Sequence, residues 1–290
     1  MRRIDYSVGA RYDGKKLYSF LKSEAKLSSK LIRSLKQKED GLLINGVHAR
    51  TIDLLHTGDM VSVTIPDDAH PAKPGQALPE ILWADDDLLV VNKPALMPIH
   101  ESHNHQGDTL QNAVALYLQR QGRAGAFRAV GRLDKGTSGV VVCALNAHAA
   151  ARLSGKLEKT YLAIATKPFS GSGTIDAPIW RPDPMKTLRA VDPRGDSAVT
   201  HWTARGTDGQ NTLLEIRLET GRTHQIRVHF AHLGAPLLGD SMYGAPDERL
   251  GHQALHCASV RFCHPVTGEE IFCEAPMPPE MQAIAGTLMP

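Results

Sequence analysis

Apolar residues recur at Leu17, Phe20 and Leu21, and again at Leu27, Leu31, Ile32 and Leu35. Steps of three and four put one apolar stripe on each of two short helices. Ser28 or Ser29 is placed to cap the second, because a serine oxygen can accept from the unpaired N–H groups of a first helical turn. The polar positions of that helix include Lys30, Arg33 and Lys36. Leu42-Leu43-Ile44, then Asn45-Gly46, then Val47 reads as a strand entering a tight hairpin, since Asn and Gly tolerate the positive φ that a two-residue turn demands. Val61, Val63 and Ile65 alternate as a further strand. Two helices followed by a small hairpin-built sheet predict a compact unit over residues 1–65.

Pro66, Pro71, Pro74, Gly75 and Pro79 make residues 66–79 unsuited to helix or sheet, so they are expected to link that unit to a second one over residues 80–290. There, β-rich runs at 88–91, 140–143, 161–165 and 213–218 are interspersed with helical stretches near 109–121, 147–157 and 223–233. The runs do not alternate as βα units, and no glycine-rich phosphate loop is present. The expected fold class is therefore α+β, a mixed and largely antiparallel sheet with helices packed on it, preceded by the small unit.

A chain of 290 residues, 42% hydrophobic and 22% charged, is long and apolar enough for a full core plus a small appendage. It has no stretch near the roughly 18 apolar residues of a membrane helix, and Met1-Arg2-Arg3-Ile4-Asp5 lacks a signal peptide's apolar segment, so a cytoplasmic protein is expected. Cys143, Cys257, Cys263 and Cys273 fit neither a metal hook nor a disulfide scaffold and are expected to be reduced and mostly buried. The net charge of +2 hides an asymmetry: residues 1–65 hold 12 Lys and Arg against 7 Asp and Glu, whereas the remainder is net acidic. The basic front is a candidate polyanion contact, and equally consistent with a solvated charged face.

Three segments carry candidate chemistry. Gly131-Arg132-Leu133-Asp134-Lys135-Gly136-Thr137-Ser138-Gly139 precedes an apolar strand, so Asp134 can sit at a cleft floor on a loop held by its own hydrogen bonds; an aspartate capping a turn is the plain alternative. Thr220 to His229 places Arg222 and Arg227 among polar groups, including His224 and Gln225, and is read as helical from Thr223. An arginine here could pair with a buried carboxylate. Lys159-Thr160-Tyr161-Leu162-Ala163 reads as a strand whose tyrosine faces either a core or a nucleobase.

The order and spacing of these segments resemble the RluA-type RNA pseudouridine synthases. The likeness extends from Ile81-Leu82-Trp83 and Asp86 through Asn92-Lys93-Pro94, over the three segments, to Gly239-Asp240, Tyr243-Gly244, His256 and His264-Pro265. Residues 1–65 resemble the RNA-binding domain named after ribosomal protein S-four, in the helix pair, the Asn45-Gly46 turn and Gly58-Asp59. The resemblance implies a cofactor-free isomerase, monomeric and without a metal, that acts on RNA, ribosomal in preference to transfer RNA. It implies Asp134 as the catalytic carboxylate, Tyr161 as a base-stacking tyrosine, Arg227 as the partner of the aspartate, and Arg132 as the residue entering the space left by a flipped base. RNA contacts are then expected from Lys30, Arg33, Lys36, Arg222, His224 and Gln225. Two positions depart from the family pattern: Gly131 stands where His is usual, and Leu96 where Gly is common.

Other readings remain at this level. A non-catalytic RNA binder on the same fold would not need Asp134, Tyr161 and Arg227 together. A hydrolytic glycosidase normally needs two cooperating carboxylates, and only one lies in a suitable motif. His100, His103 and His105 are close enough to hold a metal adventitiously, but read better as a polar loop beside the cleft.

Overall fold

The computed structural model describes residues 2–66, 72–123 and 126–288. Two main apolar cores organise it, with two smaller clusters beside the second. The first is built by β1 (Arg2–Ser7), a 3-10 turn at Ala10–Tyr12, α1 (Leu17–Ser23), α2 (Ser29–Leu35), β2 (Leu42–Ile44), β3 (Val47–His48) and β4 (Met60–Ile65). Its antiparallel sheet runs β1-β4-β2-β3. Leu17, Phe20 and Leu21 of α1 meet Ile32 and Leu35 of α2 over Val61 and Val63, as their spacing requires. Ser28 caps α2 by accepting from Leu31 N–H. Asn45 and Gly46 have φ of 52° and 81°, the pair of positive values that closes the β2–β3 hairpin. Strand β1, which the sequence pattern does not predict, completes the sheet's other edge.

The segment 66–79 lies partly outside the described residues. From 72 to 79 it has no helix or strand. It is nonetheless held: Gly75 N–H donates to Asn112 O, and Asn112 Nδ2 donates to Lys73 O.

The second core carries β5 (Glu80–Ala84), β6 (Leu88–Lys93), α3 (Leu110–Arg120), β7 (Arg128–Val130), β8 (Ser138–Ala144), α4 (Ala147–Leu153) and β9 (Glu158–Ala165). It continues with β10 (Ser172–Asp176), β11 (Ile179–Trp180), β12 (Ala190–Val191), β13 (Val199–Thr207), β14 (Thr212–Leu218), α5 (Gln225–His232), β15 (Leu255–Cys263), β16 (Glu270–Glu274) and α6 (Pro279–Leu288). The main sheet runs β10-β13-β14-β9-β15-β8-β6-β5, with β16 beside β15 and β7 beside β8; β11 and β12 form a separate ribbon. Among the described pairings only β8 with β15 is parallel, so the sheet is mixed and largely antiparallel and the class is α+β.

That parallel pairing determines where Asp134 sits. Gly139, at φ 105°, lies so close to the Cys257 backbone that any Cβ would collide with it, which explains the glycine after Thr137-Ser138. Ser138 Oγ meets His256 Nδ1 at 2.8 Å, His256 Nε2 meets Ala275 O at 3.0 Å, and Gln253 Nε2 donates to Thr137 Oγ1. Lys93, fully buried, donates to the carbonyls of Pro94, Met97 and Lys135. The loop 134–138 is thus tied on one side to β15 and on the other to the end of β6.

A polar seam joins the two cores. Asp87, with no exposed side chain, accepts from Arg2 of β1 and from Asn146 Nδ2, while Val266 from the β15–β16 turn packs into the first core. His264 Nδ1 accepts from Val266 and Thr267 N–H, so its proton sits on Nε2, which lies 2.9 Å from Asp85 Oδ2 without the geometry of a hydrogen bond. Asp85, Asp87 and His264 are close enough to hold an ion together, but Arg2 and Asn146 already saturate Asp87 and the imidazole has one nitrogen committed to backbone. The group fits an interdomain contact better than a metal site.

His148 in α4 is buried and its Nε2 has no hydrogen-bond partner among the described residues. Burial, helped by the Arg152 charge and opposed by Asp87, pushes its pKa down to about 4. An unfolded histidine titrates near ~6.5, so between these values the unfolded chain binds a proton the folded one refuses. Stability must then fall as pH drops through that window. Denaturant midpoints measured across it should fall less steeply for His148→Leu, by about one proton taken up on unfolding; an unchanged pH dependence would show that His148 is not a source of acid sensitivity.

Candidate active site

Asp134, on the loop between β7 and β8, lies at the floor of a cavity of about 540 Å³. Arg132, Lys159, Tyr161 and Arg222 also line it, and a narrow recess behind it is lined by His224 and Arg227. A quarter of the Asp134 side chain is exposed, enough for a substrate atom to reach it.

Arg227, on the first turn of α5, is buried and double-ended. Its Nε and Nη2 donate to the two oxygens of Asp240 at 2.7 and 2.9 Å, and its Nη1 donates to Asp134 Oδ2 at 3.0 Å. Asp240 has no exposed side chain and also accepts from Met242 and Tyr243 N–H. Burial works against the Arg227 charge, but the Asp240 hydrogen bonds and the charges of Asp240 and Asp134 outweigh it and raise its pKa above the usual range. A bidentate guanidinium is fixed in plane as well as position, so Asp240 aims the remaining N–H at Asp134. A second carboxylate is therefore near Asp134, but it is sealed and spent on the arginine; Glu219, which also lines the cavity, bonds His201.

The segment after Gly221 departs from expectation. Helix α5 begins at Gln225, not Thr223, because His224 adopts a left-handed φ of 59°. For a non-glycine residue this costs of order 1–3 kcal/mol and persists only where surroundings impose it. Here His224 Nδ1 is 2.8 Å from Tyr243 Oη, which itself accepts from Arg189 N–H at 2.9 Å. The phenol thus has its proton to give to Nδ1, leaving the imidazole proton on Nε2, 3.9 Å from Asp134 Oδ2. Burial lowers the His224 pKa, with the Arg227 and Arg189 charges acting the same way against Asp134, so the neutral ring is favoured.

Gln225 corrects the expectation of an RNA contact. It is buried, accepts from Thr220 Oγ1 and Arg222 N–H, and donates to Val199 O and Thr200 Oγ1. All its capacity goes into holding the turn that presents Arg222. Tyr161 is central in the sheet, with 7% of its surface left exposed toward both cavities, and burial raises its pKa well above the usual value. Arg132 is exposed at the cavity wall and has no ion-pair or hydrogen-bond partner among the described residues. Lys30 and Arg33 on α2, and Lys36 at its C-terminal end, are all exposed, but they belong to the first unit and line neither cavity.

Gly131 has φ 66°, and its carbonyl accepts from Lys159 Nζ at 2.6 Å; a Cβ there would come within 3.0 Å of that nitrogen. A side chain at this position would require the flexible end of Lys159 to move. Leu96 is exposed at φ 66°, the conformation that favours the glycine common there. His100 lines the cavity, while His105 bonds Asp108 and Lys135, so the histidines lie beside the cleft without converging on one point.

Residues 87–232 match the family described as RNA pseudouridylate synthase. The chain is 37% identical to the uncharacterized RNA pseudouridine synthase YhcT of Bacillus subtilis, over 99% of this chain and 97% of that protein. It is 36% identical to ribosomal large subunit pseudouridine synthase D of Xanthomonas campestris, over 98% and 90%. Among solved structures, human RNA pseudouridylate synthase domain containing 1 superposes with a TM-score of 0.57 at 26% identity, covering 70% of this chain and 86% of that one. With the cleft, the buried arginine and near full-length likeness in agreement, the chain belongs to the RNA pseudouridylate synthase family.

Proposed function

We propose that this protein converts specific uridines of ribosomal RNA to pseudouridine in the cytoplasm, with Asp134, Arg227 and Tyr161 as its central residues. The observation that carries the reading is the Asp240–Arg227–Asp134 chain at the cleft floor: a carboxylate reachable from the cavity and held by a guanidinium that cannot turn away. The large-subunit target named for the Xanthomonas relative supports ribosomal RNA as the substrate.

A uridine stacked in RNA hides its C1′–N1 bond, so the nucleotide must leave the stack at a cost of a few kcal/mol. Tyr161 offers a ring to the extruded uracil, a contact worth roughly 1–3 kcal/mol, and Arg132, unpaired at the wall, is available to fill the vacated place. Asp134 acts at the ribose, either attacking C1′ or taking the C2′ proton. The C1′–N1 bond breaks and the uracil turns within the cavity; C5 then bonds to C1′ as Asp134 either leaves C1′ or returns the proton to C2′, and the C5 proton is lost while N1 gains one. Arg227 holds the carboxylate in position through a charge-assisted hydrogen bond. His224, neutral and presenting Nε2–H toward Asp134, is placed to orient the carboxylate or a ribose hydroxyl. Residues 1–65, with Lys30, Arg33 and Lys36 in solvent, are read as an RNA-binding unit of the kind named after ribosomal protein S-four.

Asp134→Asn should abolish tritium release from RNA labelled at uridine C5 while RNA binding survives. Wild-type enzyme should release label without freeing uracil, and free uracil would identify a hydrolase instead. Pseudouridine mapping of ribosomal RNA from cells with and without the gene then names the site. Asp240→Asn should lower kcat by about 10²-fold, the scale of a small misplacement, with KM changed little. An unaltered kcat in a folded variant would remove Asp240 from the aiming of Arg227. Replacing Lys30, Arg33 and Lys36 together by Ala should flatten the dependence of RNA affinity on salt by about 0.7 for each phosphate no longer neutralised; an identical slope would take α2 out of the RNA interface.

A further inference from the structure

Beside the cleft, on the other side of the 221–223 turn, is a second cavity of about 360 Å³ that the chemistry above does not use. The ribbon β11–β12 forms one wall, with Trp180, Arg181 and Arg189, and Gly221, Arg222 and Thr223 form the other. Arg222 lines this cavity, the main cleft and the recess behind it.

What sets the pocket apart is how its arginines are held. Most exposed arginines of this chain are neutralised by a neighbouring carboxylate: Arg194 by Asp192 at 2.7 Å, Arg249 by Asp247 at 2.6 Å, Arg261 by Glu270 at 2.6 Å, and Arg205 by Glu215. The three pocket arginines are moored by carbonyl oxygens instead. Arg181 Nε donates to Lys186 O, Arg189 Nη1 to Thr187 O and Leu188 O, and Arg222 Nε to Ser197 O. A carbonyl fixes a guanidinium's direction without cancelling its charge. Among the described residues Arg181 and Arg189 have no carboxylate within ion-pair distance, and Arg222 has only Asp196, at 4.0 Å. The other acids of this ribbon, Asp183 and Asp192, are engaged by Lys186 and Arg194. Three oriented cations against one carboxylate, Asp196, which lines the same pocket 4.0 Å from Arg222, leave it net positive, with donors arranged in planar forks that suit phosphate oxygens.

The ribbon is also a firm base. Ile179 is buried with Ala198 and Val228, packed against Val191 and Tyr243, and it bridges to Asp196 through two backbone hydrogen bonds. Arg189 N–H is the group that bonds Tyr243, the partner of His224. The pocket wall is therefore continuous with the residues that orient His224 toward Asp134.

Resting on the pseudouridine synthase reading, we infer that Arg181, Arg189 and Arg222 bind the phosphodiester of a nucleotide flanking the extruded uridine. One turn of chain separates this pocket from the cleft, and Arg222 faces both, so an RNA strand with one base in the cleft passes its neighbouring phosphate over the three guanidiniums.

The test is binding of a short fluorescein-labelled single-stranded RNA with one uridine at its centre, measured by anisotropy over a series of KCl concentrations. Arg181→Ala and Arg189→Ala should each weaken binding and flatten the log–log salt slope, together by about 0.7, the value for the one phosphate they share on a single strand. Arg194→Ala on the same ribbon, and Arg249→Ala, should leave the slope as it is, because their charges are already compensated. Replacing the phosphates either side of the uridine by neutral methylphosphonates should reproduce the loss at one linkage in the wild type, and that same linkage should cost nothing further in the Arg181→Ala/Arg189→Ala double variant. Equal slopes for all four single variants, no change for Arg181 and Arg189, or a linkage penalty undiminished in the double variant would each overturn the inference. Failure of the isomerase reading would appear separately, as absence of tritium release from the wild-type enzyme.

Discussion

A carboxylate at the floor of a cleft needs a partner that fixes it without covering it, and Arg227 meets that need by being held from behind. Asp240 takes two edges of the guanidinium, and the third reaches Asp134. A lone arginine could swing toward solvent or be displaced by substrate; one locked by a fully buried carboxylate cannot. The cost of burying Arg227 and Asp240 is offset because they are opposite in sign and most of their hydrogen-bonding positions are filled.

This arrangement requires three distant pieces of chain to meet. The Asp134 loop is brought in by the parallel pairing of β8 with β15, which works only because Gly139 lacks a side chain where the Cys257 backbone passes. Arg227 enters from the first turn of α5, whose start is set by the left-handed His224. Asp240 follows α5 in a turn anchored by its own acceptance of the Met242 and Tyr243 N–H groups. Conformational strain at His224 is thus concentrated beside Asp134 and is sustained by the hydroxyl of Tyr243, which ties the β11–β12 ribbon to the same point.

Much of this is legible in the sequence, and for identifiable reasons. The helix pair α1 and α2 follows from its apolar stripes, and the β2–β3 turn from Asn45-Gly46, because these are local signals that act within a few residues. The cluster around Asp134 and that around Arg227 stand out because glycine, threonine and charged residues are dense there while their flanks are apolar. Strand β1 is hidden because Arg2, Arg3 and Asp5 interrupt its alternation, and their reason for being charged lies in Asp87 and Ser62 across the fold. Gln225 misleads for a similar reason. A glutamine in a polar motif has the same appearance in sequence whether it faces RNA or, as here, satisfies four backbone and hydroxyl groups.

By itself the sequence determined the α+β class, the main helices and strands, the family signature and the candidates Asp134, Tyr161 and Arg227, since period, turn chemistry and motif are properties of neighbouring residues. Only the tertiary structure decided that Asp240 holds Arg227, that His224 presents its Nε2 to Asp134, and that Arg181, Arg189 and Arg222 share a pocket with Asp196 as its one carboxylate among the described residues. Those facts depend on which acid lies within about 3 Å of which base. That distance is established by strand pairing between residues as far apart in the chain as Ser138 and His256, rather than by anything local to either one.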